Sequence, residues 1–198
     1  MSPPHTLTAA LTPALRQHLD ALMDEGWELW AQFDREVRLR RAHSFIASDY
    51  PRVLEALLPL RAPGRRFLEW GSATGVIAVM ADLLGFEAHG IEIDPALVET
   101  ARDLAARHGS SARFVAGSYL PTGYRPPRAS RRSGARDGAP SGYLALGRAL
   151  DEYDVVFGYP WPGERDIMLD LFRRHGGMGA RLLLHDESAV VVHELAAR

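Results

Sequence analysis

The chain contains no cysteine, no lysine and no asparagine. Without cysteine there are no disulfides, no thiolate metal sites and no cysteine nucleophile. All 23 basic residues are therefore arginine, which removes Schiff-base lysine chemistry and the phosphate-binding lysine of a Walker loop. No apolar run approaches the roughly 18 residues of a membrane-spanning helix. Met1 to Leu15 also lacks the basic start and apolar stretch of a secretory leader. A soluble, cytoplasmic protein with no membrane partner is the expectation. A formal net charge of -2 and a pI near 6.4 give no global field that would recruit nucleic acid.

What is present supports one core, since 46% of the 198 residues are hydrophobic. Thr12 and Pro13 make a helix start. Leu15, Leu19, Leu22, Met23, Trp30, Phe33 and Val37 then recur mostly at spacings of three and four, predicting a long amphipathic helix to about Arg40. A second start at Ser48-Asp49-Tyr50-Pro51 leads into Val53, Leu54, Leu57 and Leu58 before an Ala62-Pro63-Gly64 break. Residues 1–64 thus form a helical extension. Its aromatics Trp27, Trp30, Phe33, Phe45 and Tyr50 serve either as a lid over a site or as plain core.

From Arg66 short apolar runs alternate with helices, the pattern of a parallel sheet with crossover helices. Strands are expected at 67–70, 88–93, 113–116, 153–157 and 181–184, with a last apolar run at 189–192. Helices are expected at 75–84, from Asp94-Pro95 to about Gly109, and at about 164–174. Pro, Gly, Ser and Arg dominate 121–142, so this stretch reads as a flexible insertion within a domain spanning 65–198. Its arginines outnumber its acids, and solvated disorder rather than phosphate contact is the expectation.

The informative segment is Phe67-Leu68-Glu69-Trp70-Gly71-Ser72-Ala73-Thr74-Gly75, a strand running through a glycine turn into a helix. Glycine permits tight dihedrals and close approach of backbone to a ligand. Ala73 occupies the place of the second glycine of a dinucleotide fingerprint, where a Cβ crowds a pyrophosphate. Glu69 repels a pyrophosphate but attracts a ligand carrying an ammonium and a sulfonium.

On these residues the sequence resembles the class I S-adenosylmethionine-dependent methyltransferases, whose first motif is an acid, one residue, then Gly-x-Gly-x-Gly. Glu69, Gly71 and Gly75 match and Ala73 departs. The family's second motif ends strand two with an acid for the ribose hydroxyls, matched by Glu92 in Gly90-Ile91-Glu92-Ile93-Asp94-Pro95. The resemblance implies a Rossmann-like, doubly wound, mostly parallel sheet with S-adenosylmethionine as cofactor. It places Glu69, Gly71, Ala73, Gly75, Glu92, Ile93 and Ser118 around that cofactor. Ser118 stands where the family usually offers an acid to adenine. Removing the Glu92 carboxylate is expected to affect ligand binding rather than the fold. The short tail leaves little room for the family's closing hairpin, so a sheet truncated at its C-terminal end is expected.

Residues following strands four and five face the crevice. Gly158-Tyr159-Pro160-Trp161-Pro162 resembles the Asn-Pro-Pro-aromatic motif of amino-group methyltransferases, with Gly158 in place of the amide. Tyr159 and Trp161 are either a pocket wall or a packed turn. His185 is either a general base or a solvated strand end. Adjacent residues of His185-Asp186-Glu187 point to opposite sides of a strand, and no metal site is expected. The reading is methyl transfer to an acceptor, a small molecule in preference to nucleic acid, with Tyr159, Trp161 and His185 as its catalytic residues. The alternatives are a non-catalytic module of the same fold and a nicotinamide-dependent oxidoreductase.

Overall fold

A computed structural model describes residues 11–40, 47–126, 139–186 and 189–195, without the side chains of 37–40. The elements are α1 (Pro13–Arg40), α2 (Tyr50–Leu57), β1 (Arg66–Trp70), α3 (Val76–Leu83), β2 (Glu87–Glu92), α4 (Pro95–Arg107), β3 (Arg113–Ala116), α5 (Gly142–Leu146), β4 (Val155–Gly158), α6 (Arg165–His175), β5 (Arg181–Asp186) and β6 (Ala189–Glu194). One sheet carries the strands in the order β3-β2-β1-β4-β5-β6. All neighbours are parallel except β6, which runs antiparallel to β5. This is the expected doubly wound sheet. It ends in a single antiparallel strand where a closing hairpin was the alternative.

Apolar residues line both faces of the central strands, as a sheet covered on both sides requires. Phe67, Phe157 and Leu183 pack with α1 to α4, whereas Leu68, Trp70, Val156, Leu182 and Leu184 pack with α5 and α6. The strand order reverses between β1 and β4, the switch point at which a ligand crevice opens beyond the carboxyl ends.

The helical extension belongs to the first of these layers. Leu19, Leu22 and Met23 of α1 and Tyr50, Val53, Leu54 and Leu57 of α2 share the core built around α3. Asp49 caps α2 by accepting from the Arg52 N–H. Glu25 fastens α1 to the end of α4 through Arg107 at 2.6 Å and His108 at 2.8 Å. Among the roof candidates, Tyr50 is buried core and Trp27 lies against its ring at 4.7 Å while remaining 39% exposed. Phe45 falls outside the described residues.

Both flanks of the 121–142 stretch are tied down. The Ser118 N–H donates to Pro140 O at 2.8 Å and the Gly142 N–H to Ser118 O at 2.9 Å. The Tyr124 hydroxyl donates to Asp170 of α6 at 2.7 Å. Of the expected flexible insertion, residues 139–142 lead directly into α5 and 127–138 lie outside the described residues.

Gly26 sits in the middle of α1 where the helix meets the start of α3. A Cβ there would stand 2.8 Å from Val76 Cγ2 and 3.0 Å from Tyr50 Cε2. Gly26→Leu is therefore expected to overpack this contact and lower stability by about 2 kcal/mol, read as a shift in the urea midpoint at unchanged slope.

Candidate functional site

Strand register assembles the site. Val115, Ile91, Trp70, Gly158 and Leu184 form one row across β3, β2, β1, β4 and β5. One residue further along each strand come Ala116, Glu92, Gly71, Tyr159 and His185. The candidates from four separate sequence segments thus end on one rim. Alternation puts Tyr159 and His185 on the α1 to α4 side of the sheet, and their rings meet edge to face at 4.7 Å.

The β1–α3 turn takes left-handed backbone at every second residue: φ is +69° at Gly71, +45° at Ala73 and +81° at Gly75. Two glycines adopt this freely; Ala73 is the one non-glycine residue with positive φ among those described. The glycines differ in what surrounds them. A Cβ on Gly75 would stand 2.7 Å from Ala101 Cβ and from Phe114 Cζ, so this glycine lets α3 approach its neighbours. A Cβ on Gly71 would meet nothing within 4 Å, leaving backbone facing open space on the crevice side.

Both carboxylates of the motifs are engaged with backbone. Glu69 is buried, and its Oε2 accepts from the Ala78 N–H at 2.9 Å in the first turn of α3. Burial raises its carboxyl well above the ordinary range, against the lowering effect of the Ala78 bond. Glu69 thus ties the end of β1 to the first turn of α3. Glu92 accepts three N–H groups: Ala73 at 2.8 Å on Oε2, and Ile93 at 2.7 Å and Asp94 at 3.0 Å on Oε1. Ile93 reaches the site through its amide. Ser118 Oγ accepts from the Leu120 N–H at 3.1 Å, which leaves its own proton to donate.

On the acceptor side His185 is buried, and its Nδ1 has no hydrogen-bond partner among the described residues. Burial lowers its pKa, opposed by Asp49 and Asp186 and aided by Arg52. The approach of α2, from more than a hundred residues away, left no mark in the sequence pattern around His185. Trp161 is 45% exposed. Its backbone is held by Glu164, whose Oε2 accepts the Trp161 N–H at 3.3 Å while the Glu164 N–H donates to Trp161 O at 2.8 Å. This reciprocal pair closes a turn that ends at Glu164, the N-cap of α6. In the sequence Glu164 marks only the start of a helix. No group of three or more metal-ligating side chains occurs among the described residues.

A surface groove of about 630 Å³ lies elsewhere. It runs beside α5 and is lined by Tyr143, Arg148, Leu150 and Glu152 on one side and His175 on the other. It contains none of the rim residues.

No protein-family model matches the chain. A ribosomal protein L11 methyltransferase of Thermus thermophilus is 40% identical over 66 residues, covering 33% of this chain and 26% of the relative. The protein of the same name from Pseudomonas paraeruginosa is 47% identical over 60 residues, 29% of this chain and 20% of that one. The match thus spans about a quarter or less of the length of these curated relatives. Among solved structures, an RNA methyltransferase from Salinibacter ruber in complex with S-adenosyl-L-homocysteine superposes with a TM-score of 0.51 at 21% identity. That alignment covers 71% of this chain and 78% of the neighbour. The structural likeness shows a shared fold.

Two outcomes are expected from this geometry. Ala73→Gly relieves the left-handed strain and should raise stability by about 1 kcal/mol, measurable by urea denaturation. For His185 the folded pKa lies below the unfolded one, so its neutral burial favours the fold above about pH 6.5 and progressively less as pH falls below it. His185→Gln should accordingly lose less stability than the parent on acidification across that range; equal losses would show that His185 does not report burial.

Proposed function

We propose that this chain, whose fold is that of the class I S-adenosylmethionine-dependent methyltransferases, binds S-adenosylmethionine over the carboxyl ends of β1 and β2. The methyl group then passes to an acceptor at the ends of β4 and β5. One observation carries the reading: a left-handed turn with open space before Gly71 stands beside an acid-tipped β2, in the register that puts both on one rim. The same rim fits the proposed cofactor. Glu92, whose carboxylate accepts three backbone N–H groups out of roughly four acceptor positions, would hold the ribose hydroxyls. The Gly71 backbone permits close approach on the methionine side.

Bound there, S-adenosylmethionine would supply an electrophilic methyl carbon for transfer to an acceptor lone pair. The protein's part is to hold, orient and desolvate. Tyr159 and Trp161, stiffened by Pro160 and Pro162, wall the acceptor's approach. His185, which burial inclines to the neutral form, would stand beside Tyr159 as the base for the proton that a hydroxyl or amine releases. Glu69 acts at one remove by fixing the first turn of α3.

A small-molecule acceptor stays part of the proposal on the ground of net charge, since -2 provides no field for RNA. The relatives' names speak of a ribosomal protein and of RNA and lend that preference no support. An oxidoreductase reading has nothing further in its favour, because Ala73 keeps its Cβ where a pyrophosphate needs bare backbone.

Calorimetry with S-adenosylhomocysteine and with NAD is the deciding experiment: the first should bind and the second should not, and the reverse order would end the reading. Glu92→Ala should weaken the nucleoside by at least about 1.5 kcal/mol, roughly tenfold. Contrary to the expectation of an unaffected fold, it should also lower the melting temperature, because three backbone N–H groups lose their acceptor.

A further inference from the structure

Strand β6 is the last of the sheet, and among the described residues its outer edge carries no partner strand. All its residues from Ala189 to Glu194 pair with β5 in one unbroken antiparallel register. In such a ladder alternate residues turn their N–H and C=O groups to opposite sides. One set of β6 backbone groups therefore points away from β5, and no backbone hydrogen bond among the described residues takes them.

Folded proteins guard an edge of this kind with lysine, proline, a bulge or inward charge, because a bare edge recruits another strand. β6 lacks these guards. The chain contains no lysine, 189–194 contains no proline, and the register leaves no residue over for a bulge. Its one acidic side chain, Glu194, is engaged by Arg181 of β5 at 3.5 Å. The centre is Val190, Val191 and Val192, β-branched residues suited to further pairing. None of the strand is buried: Val192 is 49% exposed although Leu183, its partner on β5, is fully covered.

A second copy of the chain is the occupant that these features fit. A two-fold axis perpendicular to the sheet lays β6 antiparallel against itself and sets one residue opposite its own copy. With Val192 on that axis, Val190 meets Glu194 and Val191 meets His193 of the second copy. Like carboxylates, whose direct opposition destabilises a strand pair, are thereby kept apart. The net charge of -2 opposes self-association only weakly. A peptide recognised at a sheet edge takes its specificity instead from pockets for alternate side chains, and the groove beside α5 has no residue of β6 in its lining. We infer that the protein forms a two-fold dimer through β6, joining two six-stranded sheets into one. The strands of the two copies then run in opposite senses, so their rims open on opposite edges of the joint sheet. The dimer therefore stands independently of what either rim binds.

Sedimentation equilibrium of the full chain, from nanomolar to high-micromolar concentration, should show a reversible monomer–dimer equilibrium. Val192 is half exposed, so Val192→Lys adds the missing guard without burying a charge. It should raise the dimer dissociation constant at least about tenfold, with a melting curve to confirm that the variant is folded. Hydrogen exchange read by mass spectrometry tests the edge on the parent alone. Peptides covering 189–194 should lose protection on dilution below the dissociation constant, while those of β1 and β4 keep theirs. The inference is overturned if the chain is monomeric throughout, if β6 exchanges alike in dimer and monomer, or if folded Val192→Lys dimerises like the parent.

Discussion

Three backbone N–H groups converge on the carboxylate of Glu92, and the geometry of the whole rim depends on that convergence. Ala73 belongs to the β1–α3 turn, whereas Ile93 and Asp94 lead from β2 into α4. One side chain therefore joins two loops that sheet pairing alone leaves separate. The charge-assisted character of these bonds makes them stronger than neutral ones, and they offset a local penalty, since the turn holds an alanine in the left-handed region. Gly71 and Gly75 accept that region without strain, so the tension is confined to the residue that Glu92 grips.

The rest of the rim follows from the sheet. Because β1, β2, β4 and β5 are parallel and in register, any residue placed one step past the last paired row arrives at the same height. A fixed frame of this kind explains how side chains numbered 71, 92, 159 and 185 come together without contacts specific to each pair. It also explains the division of the rim into two sides. Odd and even positions on each strand face opposite helical layers, so Tyr159 and His185 look toward α2, while Tyr119 and Glu164 lie toward α6.

Much of this was legible in the sequence. Apolar runs separated by amphipathic stretches marked every strand, and Pro13, Asp49, Asp94 and the glycines marked helix ends through mechanisms that act locally. The turn from Gly71 to Gly75 was readable because φ above zero restricts residue choice. Three things were not readable. Helix α5 has five residues, too few for a period to show. The inward turn of the Glu69 and Glu92 carboxylates is a rotamer choice decided by nearby N–H groups, which composition does not encode. The meeting of His185 with α2 depends on crossovers that bring distant segments together.

The pairing of Ser118 with Ser141 makes a neck. The chain leaves the β3 end and returns to it at one point, with Tyr119 and Tyr124, just inside the neck, packed on Trp70 and bonded to Asp170 respectively. Adding residues beyond such a neck costs only the slow logarithm of loop closure, about 0.6 kcal/mol for each doubling of length. Chain length there is in effect uncoupled from the domain. A change of length there leaves the strand register that builds the rim in place.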